Sequence, residues 1–170
     1  RRWEQYEEAL DGFQKRWMVP ISVKRDDIDA DWGIRPAPLD VLEGLRPVTE
    51  GGVVSYGSQT HPADGCAGLI VTSSKAEVRI LSSGFARVGR GEMPKAPVPA
   101  ARAALDDAGL TLDDIDVIKT HNPFAVNDLW LARELGADID AMNPYGCSLI
   151  YGHPQGPTGA RGLVELIWAL

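Results

Sequence analysis

The chain has 170 residues, of which 44% are apolar and 24% charged, the usage of an ordinary globular domain. Seventeen Lys and Arg stand against 24 Asp and Glu, a formal charge of −7, which argues against a non-specific nucleic-acid binder because phosphate contacts need a basic face. A chain of this size buries roughly 70% of its extended surface and so needs neither disulfide nor metal to hold a core. Cys66 and Cys147 lie in DGCAG and GCSL, with no CxxC and no clustered His, so a structural zinc site is not expected. No run approaches the roughly 20 apolar residues of a membrane span, and no signal-like segment is visible. A reducing, cytoplasmic location is the expectation. The sequence opens at Arg1 inside one helical pattern and closes inside another, VELIWAL, so a piece of something longer is expected.

Trp3, Tyr6, Leu10 and Phe13 recur at helical spacing, with Glu and Gln on the other face, and predict an amphipathic helix. WMVPISVK reads as a short extended run that Pro20 confines to an edge or a bulge. From Arg25 to Glu50, Pro36, Pro38 and Pro47 break any long element, leaving a short helix around Leu39, Leu42 and Leu45 in what reads as a linker or cap. CAGLIVTS is an apolar run that suits a strand or a buried helix and places Cys66 in the core. VRILSSGFARV alternates like a strand.

Pro97 and Pro99 open a helix with Ala100, Ala101, Ala104 and Leu105 on one face, closed by Gly109. Thr111 with Asp114 resembles a short capping motif. Val117 to Thr120 is a brief strand-like run, Phe124 to Leu135 is helical and ended by Gly136, and a Gly-rich turn then runs into a last apolar helix. Strands alternating with helices predict an α/β layered fold. Trp130 and Trp168 fall on apolar helix faces and suit a core or subunit interface.

NPYGCSLIYGHPQGPTGAR carries the most chemical information. It sets Gly146, Gly152, Gly156 and Gly159 close together, a density that calls for positive φ or close backbone approach. His153 lies in this loop, just before a helix that begins near Thr158. The positive end of that helix favours a neutral imidazole, the form a general base needs. The plainer alternative is an idle His on a surface loop. No GK[ST] follows, so this is not a Walker loop. In THNPFAVND, His121 and Asn122 stand where a strand-like run ends, the usual place for ligands in an α/β sheet. Helix capping by Asn122 with Pro123 at the first helical position accounts for Asn122 but not for His121. SYGSQTHPADGCAG is a turn cluster, or a place to hold a ligand's polar tail.

DGCAGLIVTS, MPKAPVPAARAAL, THNPFA and NPYGCSLIYGHPQGPTGAR, in this order, resemble consecutive motifs of the thiolases. The opening EEALDGFQKRWMVPISV is similar to the stretch in which that family leaves a helix and enters its EIvPv strand. The resemblance implies an incomplete thiolase-like layered α/β fold. Residues 1–62 would be the remainder of a loop or cap region, and 63–170 a C-terminal domain lacking its last strands. The implied activity is acyl-CoA acyltransfer, either thiolytic cleavage of a 3-oxoacyl-CoA or the reverse Claisen condensation. CoA and acyl-CoA are its substrates, and no cofactor is permanently bound.

By the same resemblance, His153 is the base that activates a cysteine. His121 takes the place of the oxyanion-hole Asn, as in the HEAFA branch. Thr60 touches the CoA tail, Met93 and Phe124 line the acyl pocket, and Gly152 belongs with them as a substrate-binding residue. Asn122 and Pro123 depart from the family's EAFA, and Cys147 stands where a second Gly is usual. Neither Cys66 nor Cys147 matches a catalytic cysteine of the family. The missing N-terminal half, on the same polypeptide or another subunit of a homo- or hetero-oligomer, would have to supply the nucleophile. These residues alone are not expected to turn over. The alternatives are a non-catalytic thiolase-like subunit or acyl-CoA-binding fragment, and a ketoacyl-synthase-like condensing enzyme that uses both histidines.

Overall fold

The opening helical pattern folds as α1, Arg2–Ala9, continued by a π-helical turn over Leu10–Gln14 and the short α2, Lys15–Trp17. The wider turn rotates the buried stripe. It runs through Gln5, Tyr6, Ala9, Phe13 and Gln14, and Leu10 is left exposed. Phe13 stacks on Tyr145 with ring centroids 5.4 Å apart. The computed structural model describes residues 1–34 and 36–170.

Pro20 immediately precedes β1, Ile21–Val23, which pairs antiparallel with β2, Asp26–Ile28, in the register Ile21 to Ile28. Lys24 turns the hairpin at φ 58°. The short helix expected in the Pro-rich stretch is α3, Leu39–Glu43. Helix α4, Pro97–Ala108, opens on Pro97, whose missing N–H falls where no intrahelical bond is made. Gly109 closes α4 in the left-handed region at φ 68°. Thr111 then donates from its N–H and its hydroxyl to Asp114, both at 2.8 Å, completing the expected capping motif.

Helix α5 spans Ala125–Leu135 and ends at Gly136 in the left-handed region. The Gly-rich segment contains a short helix that the sequence reading passed over, α6, Ser148–Tyr151, and then α7, Thr158–Ala169. The main apolar core lies between α4 and α5, where Val98, Leu131, Ala132 and Met142 are buried with Ile118, Trp130 and Leu135 around them. Trp168 meets Trp17 edge-on at 6.4 Å.

Three expectations are corrected. VRILSSGFARV and CAGLIVTS form no strand, because a strand exists only as a ladder and no second strand lies beside either among the described residues. Their apolar side chains are left outward, with Ile70 97% and Phe85 84% exposed. Cys66 is exposed, not core, because it sits in one of these unpaired segments. Val117–Thr120 is also not a strand: Asn143 satisfies its backbone instead, donating its N–H to the Ile118 carbonyl at 2.9 Å and accepting from the Thr120 N–H on Oδ1 at 2.8 Å.

Candidate functional site

Successive side chains of the extended run that ends at His121 point to opposite sides. Lys119 goes to one side, where its ammonium donates to the Pro144 carbonyl at 2.9 Å and pairs with buried Glu165 of α7. Thr120 and Asn122 go to the other, and both reach Asp128 in the first turn of α5. His121 emerges on the Lys119 side, beyond the buried pair, and meets His153.

The two imidazoles are in contact. His121 Nε2 lies 3.2 Å from both Nδ1 and Nε2 of His153, and the ring centroids are 4.2 Å apart. Burial first, and the neighbouring charge of a protonated His153 second, push the His121 pKa below its ordinary value.

The loop between α6 and α7 sets His153. Its N–H donates to the His61 carbonyl at 2.9 Å, and Pro62 and His153 form a parallel bridge. Gly152 is required on two counts. Its φ is 86°, and an added Cβ would lie 2.7 Å from the Ala63 methyl and 2.9 Å from His61 Nε2. His153 Nδ1 is 2.9 Å from the hydroxyl of Thr158, the first residue of α7, and 3.3 Å from the Gln155 N–H. The hydroxyl can donate or accept, so it supports either tautomer. Nε2 is then the nitrogen left to exchange a proton; the tautomer with Nε2 unprotonated donates Nδ1–H to Thr158 and gives up the longer Gln155 contact.

Thr60 is stitched to the same place. Its N–H donates to the Pro123 carbonyl at 2.7 Å and its hydroxyl to the Ser148 carbonyl at 2.6 Å. With that proton committed, the hydroxyl has only lone pairs to offer a ligand. Gln59 bridges Phe124, the extended residue just before α5. Met93 is half exposed and lies against α5 through the Asn127 amide, 3.7 Å from its sulfur. The structure therefore gathers His121, His153, Thr60, Gly152 and Phe124 around one loop crossing, with Met93 reaching it through the first turn of α5.

Asn122 does not cap α5. Its φ is 43° and its amide turns inward, donating to Asp128 at 2.6 Å and to Cys147 Sγ at 3.4 Å. Cys147 is fully buried, and burial raises its thiol pKa. The side chain in place of a second glycine is thus accommodated. The glycine before it is the one with no room: a Cβ on Gly146 would lie 2.9 Å from Tyr6 Cβ.

Several residues here went unremarked in the sequence. Asp128 accepts from Arg2 at 3.0 and 3.2 Å and from Asn143 at 2.7 Å, besides Thr120 and Asn122. Arg161 of α7 bonds Asp31 at 2.7 and 2.9 Å and Glu165 at 3.0 Å. Burial pushes the Lys119 pKa down, opposed by Glu165. One signal was available for His61: the dipeptide His-Pro occurs at 61–62 and again at 153–154, and the two copies lie side by side. Among the described residues no group of His, Cys, Asp and Glu is arranged to hold a metal ion.

The family model for the thiolase C-terminal domain matches residues 74–170. The chain is 36% identical over 161 residues to the 3-oxoadipyl-CoA/3-oxo-5,6-dehydrosuberyl-CoA thiolase of Escherichia coli K12, covering 85% of this chain and 40% of that protein. It is 34% identical over 168 residues to the acetyl-CoA acetyltransferase of Syntrophomonas wolfei, covering 90% of this chain and 42% of that one. Among solved structures, human mitochondrial 3-ketoacyl-CoA thiolase in complex with CoA superposes with a TM-score of 0.84 at 28% identity, over 99% of this chain and 45% of that one. The chain thus spans less than half the length of these relatives. A family model over more than half the chain and a shared fold lead to one assignment: this chain belongs to the thiolase family, and its α/β fold is that of the family's C-terminal region.

Proposed function

We propose that this chain supplies the base and oxyanion side of a thiolase active site. In that site a cysteine thiolate from the N-terminal half, on the same polypeptide or on another subunit of an oligomer, attacks the 3-carbonyl of a 3-oxoacyl-CoA. The C2–C3 bond breaks, the acyl group stays on sulfur as a thioester, and the remainder leaves as acetyl-CoA once its C2 has taken up a proton. The observation that carries the reading is the contact of His121 with His153 at 3.2 Å on the GHP loop. A thiol with an ordinary pKa near 8.5 is mostly protonated at neutral pH, so it needs a base beside it. His153, with Nδ1 held by Thr158 and Nε2 facing His121, takes that proton on Nε2. The attack puts negative charge on the substrate carbonyl oxygen, and the imidazole N–H of His121 donates to it. Thr60 accepts from the CoA tail, Gly152 lets the backbone come close to it, and Met93 and Phe124 border the acyl group. CoA enters and leaves as a substrate.

We further propose that residues 1–62 form the loop or cap region and 63–170 the C-terminal domain. Arg2 to Asp128, Asp31 to Arg161 and the Pro62–His153 bridge tie the two together. No helix among the described residues is long and apolar enough to cross a membrane, and we place the working protein in the cytoplasm.

One observation favours a second reading, a non-catalytic subunit or acyl-CoA-binding fragment: Cys147 is buried against Asn122 with its thiol pKa raised by burial, and neither it nor the exposed Cys66 matches a catalytic cysteine of the family. A single experiment separates the two. The natural polypeptide that carries these residues is mixed with acetoacetyl-CoA and CoA, and loss of the substrate is followed by absorbance. The catalytic reading expects turnover that falls by about 10²- to 10⁴-fold in His153→Ala. No turnover in the wild type, or equal turnover in the variant, overturns it.

A further inference from the structure

Asp128 lies behind the histidine pair, away from the reacting face. It is only 2% exposed. Its Oδ1 accepts from the Thr120 hydroxyl at 2.6 Å and its Oδ2 from the Asn122 amide at 2.6 Å. Thr120 and Asn122 are the immediate neighbours of His121, so one carboxylate grips the side chains on both sides of that histidine. The grip holds a conformation the chain would not choose unaided. Asn122 sits at φ 43° and Asn143, whose amide also donates to Oδ2 at 2.7 Å, at φ 59°. Asn is among the few non-glycine residues that tolerate this region, and only where the surroundings fix it. The charge of the carboxylate is met by Arg2 of α1, whose guanidinium donates to Oδ2 at 3.0 and 3.2 Å and to the Met142 carbonyl at 2.8 Å. A buried carboxylate with five donors on it is a fixed point.

We infer that Asp128, charge-balanced by Arg2, is the positioning residue for His121. It holds Thr120 and Asn122 so that the imidazole between them is aimed at His153 and the carbonyl oxygen of the substrate. The inference rests on the proposed acyltransferase reading for its catalytic consequence, but its structural content is independent of any turnover.

The test uses the natural polypeptide with isotope-labelled histidine, so that each ring is seen separately by NMR, alongside steady-state kinetics with acetoacetyl-CoA. Three variants are compared: Asp128→Ala, Thr120→Val, which removes one arm of the grip without exposing a buried charge, and Thr120→Ser, which keeps the hydroxyl. In Asp128→Ala and Thr120→Val the His121 ring signal shifts and its through-space cross-peak to His153 weakens severalfold, while Thr120→Ser matches the wild type. If the protein turns over, kcat falls roughly 10- to 100-fold in the first two, as a misplacement of about 1 Å produces, and KM stays near the wild-type value. Unchanged His121 signals in Thr120→Val, or signals equally disturbed in Thr120→Ser, overturn the inference. Should Asp128→Ala not fold, Thr120→Val decides. Should the wild type not turn over, the proposed function fails, and the ring signals still decide whether Asp128 positions His121.

Discussion

His121 Nε2 stands 3.2 Å from each ring nitrogen of His153, a separation at which two imidazolium charges repel strongly in a site only partly open to water. A charge on His153 therefore disfavours protonation of His121, adding to the effect of burial on that ring.

The first prediction is a pH dependence of stability. The pKa of His121 in the fold lies below its ordinary 6.5, through burial first and the His153 charge second. The unfolded chain then binds this proton more readily than the folded one. The stability it concerns is fully present above the unfolded value and is lost as pH falls from there through the folded pKa. The melting midpoint should drop more steeply below about pH 6.5 in the wild type than in His121→Gln. Parallel pH profiles for the two would contradict this.

His121 is assigned to donate to an oxyanion, which predicts a graded series. His121→Ala should lower kcat by about 10²- to 10³-fold, the usual loss for one such donor. His121→Asn, which retains an N–H donor, should recover part of that loss. Steady-state kinetics of thiolysis read both, and equal losses in Ala and Asn would mean that the N–H is not the feature in use.

The buried pair of Lys119 and Glu165 predicts a stability effect rather than a kinetic one. Glu165 is fully buried, also accepts from Arg161 at 3.0 Å, and thereby fastens α7 to the strand-like run before His121. Glu165→Gln removes one charge and leaves Lys119 and Arg161 short of a partner, a change that costs on the order of 3–5 kcal/mol. Denaturant unfolding checks it; a loss below about 1 kcal/mol, the range of a surface pair, would contradict it.

Cys147 should be chemically quiet. It is fully enclosed and its thiol pKa is raised by burial, and only the thiolate is nucleophilic. Iodoacetamide at neutral pH followed by peptide mass spectrometry should leave Cys147 unmodified in the folded protein and modify it after denaturation. Fast labelling of the folded protein would show a thiol more open than this.

Much of the helical architecture was legible in the sequence, because local punctuation decides it. Pro97 and Gly109 bracket α4, Thr111 and Asp114 close a capping box, and Gly136 ends α5. The strand-like runs misled because periodicity reports which face of a segment is apolar and not what lies beside it. Ile70, Val71 and Phe85 have a strand's composition and no ladder among the described residues. The histidines were legible from their Gly/Pro surroundings. The residues that hold them were not: Arg2 and Asp128 are 126 positions apart and Asp31 and Arg161 are 130 apart, and no local pattern announces a pairing at that range. Asn122 read as a helix cap because capping is what an Asn before Pro ordinarily does. Its buried carboxylate partner redirected it.

The measurement that bears most directly on the proposed role of His153 is the rate at which the natural polypeptide takes up an acetyl group from acetyl-CoA in a single turnover, quenched in acid and counted on the protein. The account predicts a covalent thioester on a cysteine other than Cys66 and Cys147, formed about 10²- to 10⁴-fold more slowly in His153→Ala. An acetyl group that appears at the same rate without the imidazole would contradict it.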